Sequence, residues 1–168
     1  MRLLLGWVST TARALQAAVR DAGLAELPAA LPRPPDSLAV YDAIVTHEGL
    51  RGSTRSLFVD AYYPQCVFEA YKLVNNRVKD RSGLHHCDGA DLMRTAFSSK
   101  KPIVALNAGV SQTEKNQQLG YMHIFEGCME GVRNPRGHET CIADTVGTTL
   151  ELLALANHLL SIVEEATV

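Results

Sequence analysis

The chain has 168 residues, of which 46% are hydrophobic and 20% are charged, with a formal net charge of −2 and a mean hydropathy of −0.01. These values are typical of one soluble globular domain, and they exclude an intrinsically disordered chain. The negative net charge also excludes a protein that attracts nucleic acid through its overall charge.

The N-terminal stretch MRLLLGWVST resembles a signal peptide only superficially, because its apolar run breaks at Gly6 and becomes polar by Ser9. No stretch approaches the roughly 20 apolar residues that cross a bilayer, so we expect no contact with a membrane. The four cysteines form no C-x-x-C pair and are too sparse for a disulfide scaffold. We therefore predict reduced thiols and a cytoplasmic location.

The first 36 residues form a separate unit in this interpretation. Residues 2–23 have a helical pattern that ends at Gly23, and the proline-rich stretch ELPAALPRPPDS follows it. We predict an N-terminal helix and linker over residues 1–36 and a helical domain over residues 37–168.

Helical patterning returns near Asp36 and continues, with a break around HEGLRGS, into SLFVDAYYPQCVFEAYKLVNNRVKD. Apolar residues in that segment recur every three to four positions and predict a buried stripe, formed by Tyr63, Val67, Ala70, Val74 and Val78. A second, polar face carries Gln65, Glu69, Lys72, Asn76 and Lys79. That face is either solvated or one wall of a cleft.

Three more elements are predicted before the last helix. DGADLMRTAFSS has the pattern of a short helix with Asp88 as its N-cap. PIVALN, residues 102–107, is the one good strand candidate, and since one strand cannot form a sheet we expect an extended loop or small hairpin. Ser111 and Glu114 have the spacing of a capping box and start a helix with an apolar stripe, Leu119, Met122, Phe125, Met129 and Val132.

The last helix, over residues 144–166, has apolar side chains on two sides. One stripe is Val146, Leu150, Leu153 and Leu160, and the other is Leu152, Leu155, Leu159 and Ile162. Such a helix is either central in the fold or shared with another subunit. The predicted fold class is an all-α helical bundle with a short extended segment near residues 102–107.

Charge is unevenly distributed along the chain. Residues 72–101 contain seven basic and three acidic side chains, whereas the chain from Glu139 onward contains five acidic side chains and no lysine or arginine. The first region favours binding to a polyanion and the second disfavours it. The alternative is that both are ordinary solvated surfaces.

The stretch GVRNPRGHET, residues 131–140, is the main candidate for chemistry. Pro135 disfavours the α conformation at Asn134, which predicts that the helix ends near Arg133 and that residues 134–139 form an exposed bend. A guanidinium can bind a phosphate with two hydrogen bonds, and an imidazole can transfer protons near neutral pH. Arg133 and His138 together therefore favour catalysis on a phosphodiester without a metal.

Plainer interpretations exist for each of these groups. Arg133 could pair with Glu130 one turn earlier, and His138 could cap a helix end. The same spacing recurs in RSGLHH at Arg81 and His86. The stretch HHCD, residues 85–88, lacks the paired spacing of a zinc site, and we expect neither a metal nor another cofactor.

Three blocks of the sequence carry a resemblance to a known family: LFVDAYYPQCVFEAYKLVNNRVKD, DGADLMRTAF and QQLGYMHIFEGCMEGVRNPRGH. Over about residues 47–165 they resemble the Ymh-type hypothetical-protein family, a branch of the HEPN (higher eukaryotes and prokaryotes nucleotide-binding) superfamily. The resemblance implies an α-helical bundle that dimerises so that two R-x4-6-H motifs face one cleft. Many HEPN proteins are metal-independent endoribonucleases of toxin-antitoxin, abortive-infection and other antiviral systems.

The superfamily motif falls on Arg133 and His138, with Asn134 as the polar residue that follows the arginine. Arg136 inside the motif and Lys72 in the basic region are our own candidates for contacts with the RNA backbone. Gly137 before the histidine predicts a looser backbone there. The first 45 residues lie outside the resemblance and are a candidate partner-docking segment.

The sequence therefore predicts a homodimeric, metal-independent endoribonuclease that cleaves RNA through the 2'-hydroxyl, with an antitoxin or defence protein as a further partner. Arg133, His138 and Asn134 are its predicted catalytic residues. The alternative is a non-catalytic HEPN module that binds a nucleotide, an RNA or a partner protein. A third possibility is an oligomeric scaffold built by the last helix.

Overall fold

The computed structural model describes residues 36–139 and 142–167. Within them the regular structure is helical: α1 (Ser37–Ile44), α2 (Glu48–Val59), α3 (Tyr63–Ser82), α4 (Gly89–Ala96), α5 (Gln112–Gly127), a π-helical segment (Cys128–Arg133), α6 (Asn134–His138) and α7 (Val146–Glu165). The predicted all-α class is confirmed. The predicted helix over residues 2–23 and the proline-rich stretch as far as Pro35 lie outside the described residues.

Helix α3 lies at the centre of the bundle and packs against α2, α7 and the π-helical segment. The predicted stripe is confirmed, since Val67, Ala70, Val74 and Val78 are fully buried and Tyr63 packs against the same core. Each fully buried valine contributes roughly 1.5–3 kcal/mol of burial free energy. This stripe fixes α3 in place and directs the opposite face of the helix outward.

Helix α7 covers α3 with one buried face, formed by Leu153, Ala156, Leu159, Leu160 and Val163. By length and composition the 20-residue helix α7 could also cross a membrane, since it contains an 18-residue window with a mean hydropathy of 1.5. The expectation that no stretch has that length and composition was therefore wrong. A core helix meets the same criterion because its apolar residues are needed for packing, and a third of the apolar window is buried in the bundle.

The stretch PIVALN forms an extended connection rather than a strand of a sheet. Ala105 and Thr167 make an isolated antiparallel bridge with two backbone hydrogen bonds of 2.9 Å. The buried amide of Gln118 donates to the carbonyl oxygens of Phe97 and Val104, both at 3.1 Å. The connection between α4 and α5 is thereby attached to both α5 and the end of the chain.

The break predicted around HEGLRGS occurs earlier, because these residues already start α2. His47 is the N-cap of α2, and its Nδ1 accepts a hydrogen bond of 3.1 Å from the backbone N–H of Leu50. Its Nε2 lies 2.9 Å from Glu164 Oε1 on α7. The α1–α2 junction is thus attached to the last helix.

The α2–α3 connection contains a strained residue. Ala61 has φ 61, in the left-handed region that favours glycine. Tyr62 follows it as the N-cap of α3 and is 63% exposed. The connection thus presents a large aromatic side chain to solvent at the start of the central helix.

The capping box at the start of α5 is confirmed: Ser111 Oγ accepts from Glu114 N at 3.2 Å, and Glu114 Oε2 accepts from Ser111 N at 2.7 Å. The predicted helix end near Arg133 was wrong. Asn134 is helical, with φ −61 and ψ −46, and Pro135 lies in the first turn of α6. The wider π-helical turn before Pro135 supplies the reason, because the proline can enter the helix where an N–H is not needed.

Candidate functional site

Arg133 ends the π-helical segment, and Asn134 begins α6. Arg133 Nη1 donates a hydrogen bond of 3.2 Å to Asn134 Oδ1. The guanidinium carbon lies 5.8 Å from the centre of the Phe68 ring on α3, within the range of a cation–π contact. The predicted pair of Arg133 and Asn134 is therefore in direct contact, and an aromatic ring supports the guanidinium.

Asp88 supplies the negative charge beside this guanidinium. Its Oδ2 lies 3.8 Å from Arg133 Nη2, and its Oδ1 lies 3.4 Å from Lys79 Nζ. Asp88 also caps α4, accepting from Gly89 N at 3.0 Å, and the φ of +55 at Gly89 is suited to glycine. The DG pair thus holds a carboxylate against the motif.

Asn75 links this carboxylate to the core of α3. Its side chain is almost completely buried, and its Oδ1 accepts from Gly89 N at 3.0 Å. Partial burial raises the pKa of Asp88. Hydrogen bonds from Asn75 and Gly89, together with the charges of Lys79 and Arg133, lower this pKa by a larger amount. The pKa of Asp88 therefore lies below its usual value of 3.8. Asp88 is therefore an ionised carboxylate at neutral pH.

Glu130 does not form the predicted alternative pair with Arg133. The nearest cation to Glu130 is Arg94, at 3.9 Å between Nη1 and Oε1. Arg94 also pairs with Asp91 and Glu126. Among the described residues, the acidic partner of Arg133 is Asp88.

His138 is the last residue of α6 and is exposed. Within residues 36–139 and 142–167, its imidazole has no hydrogen-bond partner in the structure. Arg133 and His138 are thus placed at the two ends of one short helical turn, with the arginine held by neighbours and the imidazole open to solvent. An open imidazole is available to transfer protons to or from a bound molecule.

Gly137 lies close to Phe68, and the looser backbone expected there stays a prediction. A Cβ at this position would lie 3.0 Å from Phe68 Cε2, which is closer than a relaxed contact allows. The same ring therefore lies against the backbone before His138 and beneath the guanidinium of Arg133. Phe68 sets the distance between α6 and α3.

Arg136 is held by a buried ion pair with Asp144. Nε and Nη2 of the guanidinium donate to the two carboxylate oxygens at 2.7 and 2.6 Å, and the side chains are 9% and 5% exposed. Nη1 donates to the carbonyl oxygen of Val132 at 2.8 Å. Arg136 therefore fastens α6 to the segment before α7, and its contact with RNA stays a prediction.

Lys72 lies on the polar face of α3, one turn beyond Phe68. Its Nζ is 3.2 Å from Glu69 Oε2, and its side chain is 49% exposed. Residues four apart in a helix share a face, so the ammonium group lies on the same side of α3 as the Phe68 ring. Its role in guiding RNA stays a prediction.

The second R-to-H spacing, at Arg81 and His86, has a different environment. Arg81 donates to the backbone carbonyl of Ala166 after the end of α7, so it has a structural role. In both Arg81 and Arg133 the Nε atom is buried without a hydrogen-bond partner among the described residues. A buried Nε therefore does not show which of the two arginines belongs to the candidate site. Arg133 is the one of the two that lies over the Phe68 ring and beside the ionised carboxylate of Asp88.

Other candidate chemistry is weaker. In the part of the chain that the structure describes, no group of three or more His, Cys, Asp or Glu side chains has the arrangement of a metal site. Burial raises the pKa of the Cys66 thiol to about 12 and that of Cys128 to about 11. These two thiols are therefore protonated and poor nucleophiles at neutral pH.

Comparison with known proteins identifies the family. A family model described as a protein of unknown function (Hypoth_ymh) matches residues 45–163, which include α2 to α6 and nearly all of α7. No curated protein and no solved structure matches the chain. Because this match covers most of its length, the chain belongs to the Hypoth_ymh family.

Proposed function

We propose that this protein is a metal-independent endoribonuclease of the HEPN type that cleaves RNA by attack of the 2'-hydroxyl on the adjacent phosphate. The observation that carries the proposal is the arrangement of Arg133 and His138. Phe68, Asp88 and Asn134 hold the guanidinium, while the imidazole at the end of α6 is exposed. This pairing supplies a fixed cation and an available proton-transfer group.

In the proposed reaction, the 2'-oxygen attacks phosphorus, the bond from phosphorus to the 5'-oxygen breaks, and a 2',3'-cyclic phosphate and a 5'-hydroxyl form. One histidine accepts the 2' proton or donates a proton to the leaving oxygen. Arg133 stabilises the charge on the phosphate oxygens, and Asn134 orients its guanidinium. This chemistry needs no metal because the nucleophile belongs to the RNA.

A second histidine would complete acid–base catalysis, and a two-fold homodimer supplies it as the His138 of the second copy. In this proposal both motifs contribute to one composite cleft. Lys72 guides the phosphate backbone into it, and Arg136 contacts the bound RNA. The cellular role is that of a cytoplasmic toxin or antiviral-defence nuclease restrained by a partner protein.

The test is an RNA cleavage assay in EDTA, with a panel of single-stranded RNAs and analysis of product ends. Wild type should give cyclic phosphate ends, whereas His138→Ala and Arg133→Ala should lose cleavage while retaining their helical circular dichroism. His86→Ala is the matched control, because that histidine is also exposed and follows an arginine at the same spacing. Full activity in His138→Ala would refute the assignment.

A non-catalytic module that binds nucleotide, RNA or a partner protein is the second candidate. One observation favours it: Asp88 neutralises Arg133, and Glu69 neutralises Lys72, which lowers the positive potential that RNA would meet. RNA binding without cleavage, by purified dimeric protein over the whole RNA panel, would favour this candidate.

A further inference from the structure

A cavity beside the motif has the composition of a nucleobase site. It has a volume of about 290 Å³ and is lined by Tyr62, Pro64, Gln65, Arg136, Glu139 and Ile142. Arg136 and Glu139 flank His138 in the chain, so the cavity belongs to the same turn as the proposed catalytic histidine. We propose that this cavity binds an unpaired guanine base of single-stranded RNA, next to the phosphate that is cleaved.

Tyr62 is the stacking group in this proposal. Its side chain is 63% exposed and lies at the wall of the cavity. Bases of single-stranded RNA are bound by stacking on such rings. Ala61 directly before it takes the left-handed φ because it caps the end of α2: its N–H donates to Phe58 O at 3.2 Å, and the N–H of Tyr62 donates to Leu57 O at 2.9 Å.

Arg136 lines the cavity, and its guanidinium is held in a fixed position. Asp144 and Val132 use three of the five N–H groups of its guanidinium. In the described residues, the other two have no partner in the structure. The ion pair with Asp144 holds the guanidinium rigid, so these donors need no ordering when a ligand binds.

The acceptors lie on other walls of the cavity. Glu139 has an exposed carboxylate directly after His138. Gln65 donates its Nε2 to Glu69 at 2.9 Å, which leaves its Oε1 as an acceptor. Pro64 and Ile142 provide apolar surface between these polar groups.

Guanine fits this set of donors and acceptors best among the four bases. Its O6 and N7 accept two hydrogen bonds from arginine. Its N1–H and N2–H2 donate in parallel and match a carboxylate such as that of Glu139. Adenine presents a donor where Arg136 requires an acceptor, and the pyrimidines lack the second acceptor.

The inference rests on the proposed function in placing this base beside the cleaved phosphate, but its test does not require cleavage. Isothermal titration calorimetry would use the full chain with GMP, AMP, CMP and UMP. It would also use two 2'-O-methyl RNA hexamers that cannot be cleaved, with a central G or A. We expect GMP and the G hexamer to bind about tenfold or more tightly than their counterparts.

Variants then locate the site. Tyr62→Ala should weaken binding of GMP about tenfold, and Tyr62→Phe should restore it because the ring can still stack. Glu139→Gln should remove the preference for GMP over AMP. Val110→Ala, another exposed apolar position, is the control and should leave binding unchanged.

The outcomes separate this inference from the proposed function. If GMP binds with no preference, or if Tyr62→Ala binds it as tightly as wild type, the guanine site is refuted even where the protein cleaves RNA. If guanine-selective binding depends on Tyr62 and no RNA is cleaved, the site stands and the nuclease proposal fails.

Discussion

Arg133 Nη2 lies 3.8 Å from Asp88 Oδ2, although the π-helical segment and the start of α4 are far apart in the chain. At this distance the two groups attract each other without a direct hydrogen bond. Asp88 therefore holds the charge of the guanidinium in place while leaving the N–H groups of Nη2 available to a phosphate. Asn75 and Gly89 fix the carboxylate itself.

Asp88→Asn should lower kcat for RNA cleavage about tenfold while KM changes little, because a neutral side chain no longer holds Arg133 in its productive orientation. The fold should be retained, since asparagine is as good an N-cap as aspartate. Steady-state kinetics would be compared with those of Asp91→Asn, an exposed acidic residue in the same helix. Equal kcat in both variants would exclude a positioning role for Asp88.

The stability of the fold should depend on the ionisation of Asp88. Because the folded state lowers the pKa of Asp88 below 3.8, its stabilising contribution is complete above the unfolded pKa and is lost as the pH falls through the folded pKa. The difference in unfolding free energy between wild type and Asp88→Asn should be constant well above pH 3.8 and should shrink as the pH falls below 3.8. Urea unfolding at several pH values measures it, and a difference that grows on acidification would contradict the assignment.

Gly137→Ala should separate activity from stability. Alanine favours a helix by about 0.8–1.0 kcal/mol over glycine, but the new methyl group must displace the Phe68 ring. We expect the unfolding free energy to change by less than about 1 kcal/mol and RNA cleavage to fall by about tenfold or more, because Phe68 supports Arg133. Thermal unfolding and the cleavage assay would be run together. Gly131→Ala is the control, as its Cβ would meet no neighbour within 4 Å.

Breaking the pair of Arg136 and Asp144 should be costly. Asp144→Ala leaves a guanidinium that is 9% exposed without its carboxylate, and we expect a loss of about 3–5 kcal/mol in unfolding free energy. Replacing both residues, as Arg136→Met with Asp144→Leu, should recover most of that loss because no unpaired charge remains. Urea unfolding of the single and double variants measures the coupling. Additive losses would show that the pair does not act as a unit.

Local sequence patterns were sufficient for much of the fold. The buried stripe of α3 follows from apolar spacing, and the start of α5 follows from Ser111 and Glu114, since each depends on residues within a few positions. Leu119 is an exception in the predicted stripe of α5 and is 37% exposed. Helical spacing could place it near the core but could not show how much of α5 its neighbours cover.

The environment of the candidate site was not predictable in the same way. Arg133 and Asn134 were found from the motif, but Phe68, Asn75 and Asp88 join them through contacts between distant segments. Asp88 was identified as a helix cap, and nothing in its local sequence indicates a cation on another helix. The preference of the residue before Pro135 for extended structure was correct as a tendency and was overridden by the π-helical turn.

The π-helical turn at Cys128–Arg133 also acts as a phase shift in the long helical run from α5 to α6. A π turn holds more residues than an α turn, and one residue corresponds to about 100° of rotation about the helix axis. Relative to the capped start of α5, every residue after the turn is thus rotated away from the position that an uninterrupted α-helix would give it. Winding all six residues of this segment as an α-helix would turn Arg133 away from the Phe68 ring, whereas deleting one residue such as Gly131 would restore α-helical periodicity and leave Arg133 on nearly the same face. The length of this turn, as well as the identity of its last residue, therefore decides which face of the molecule carries the motif.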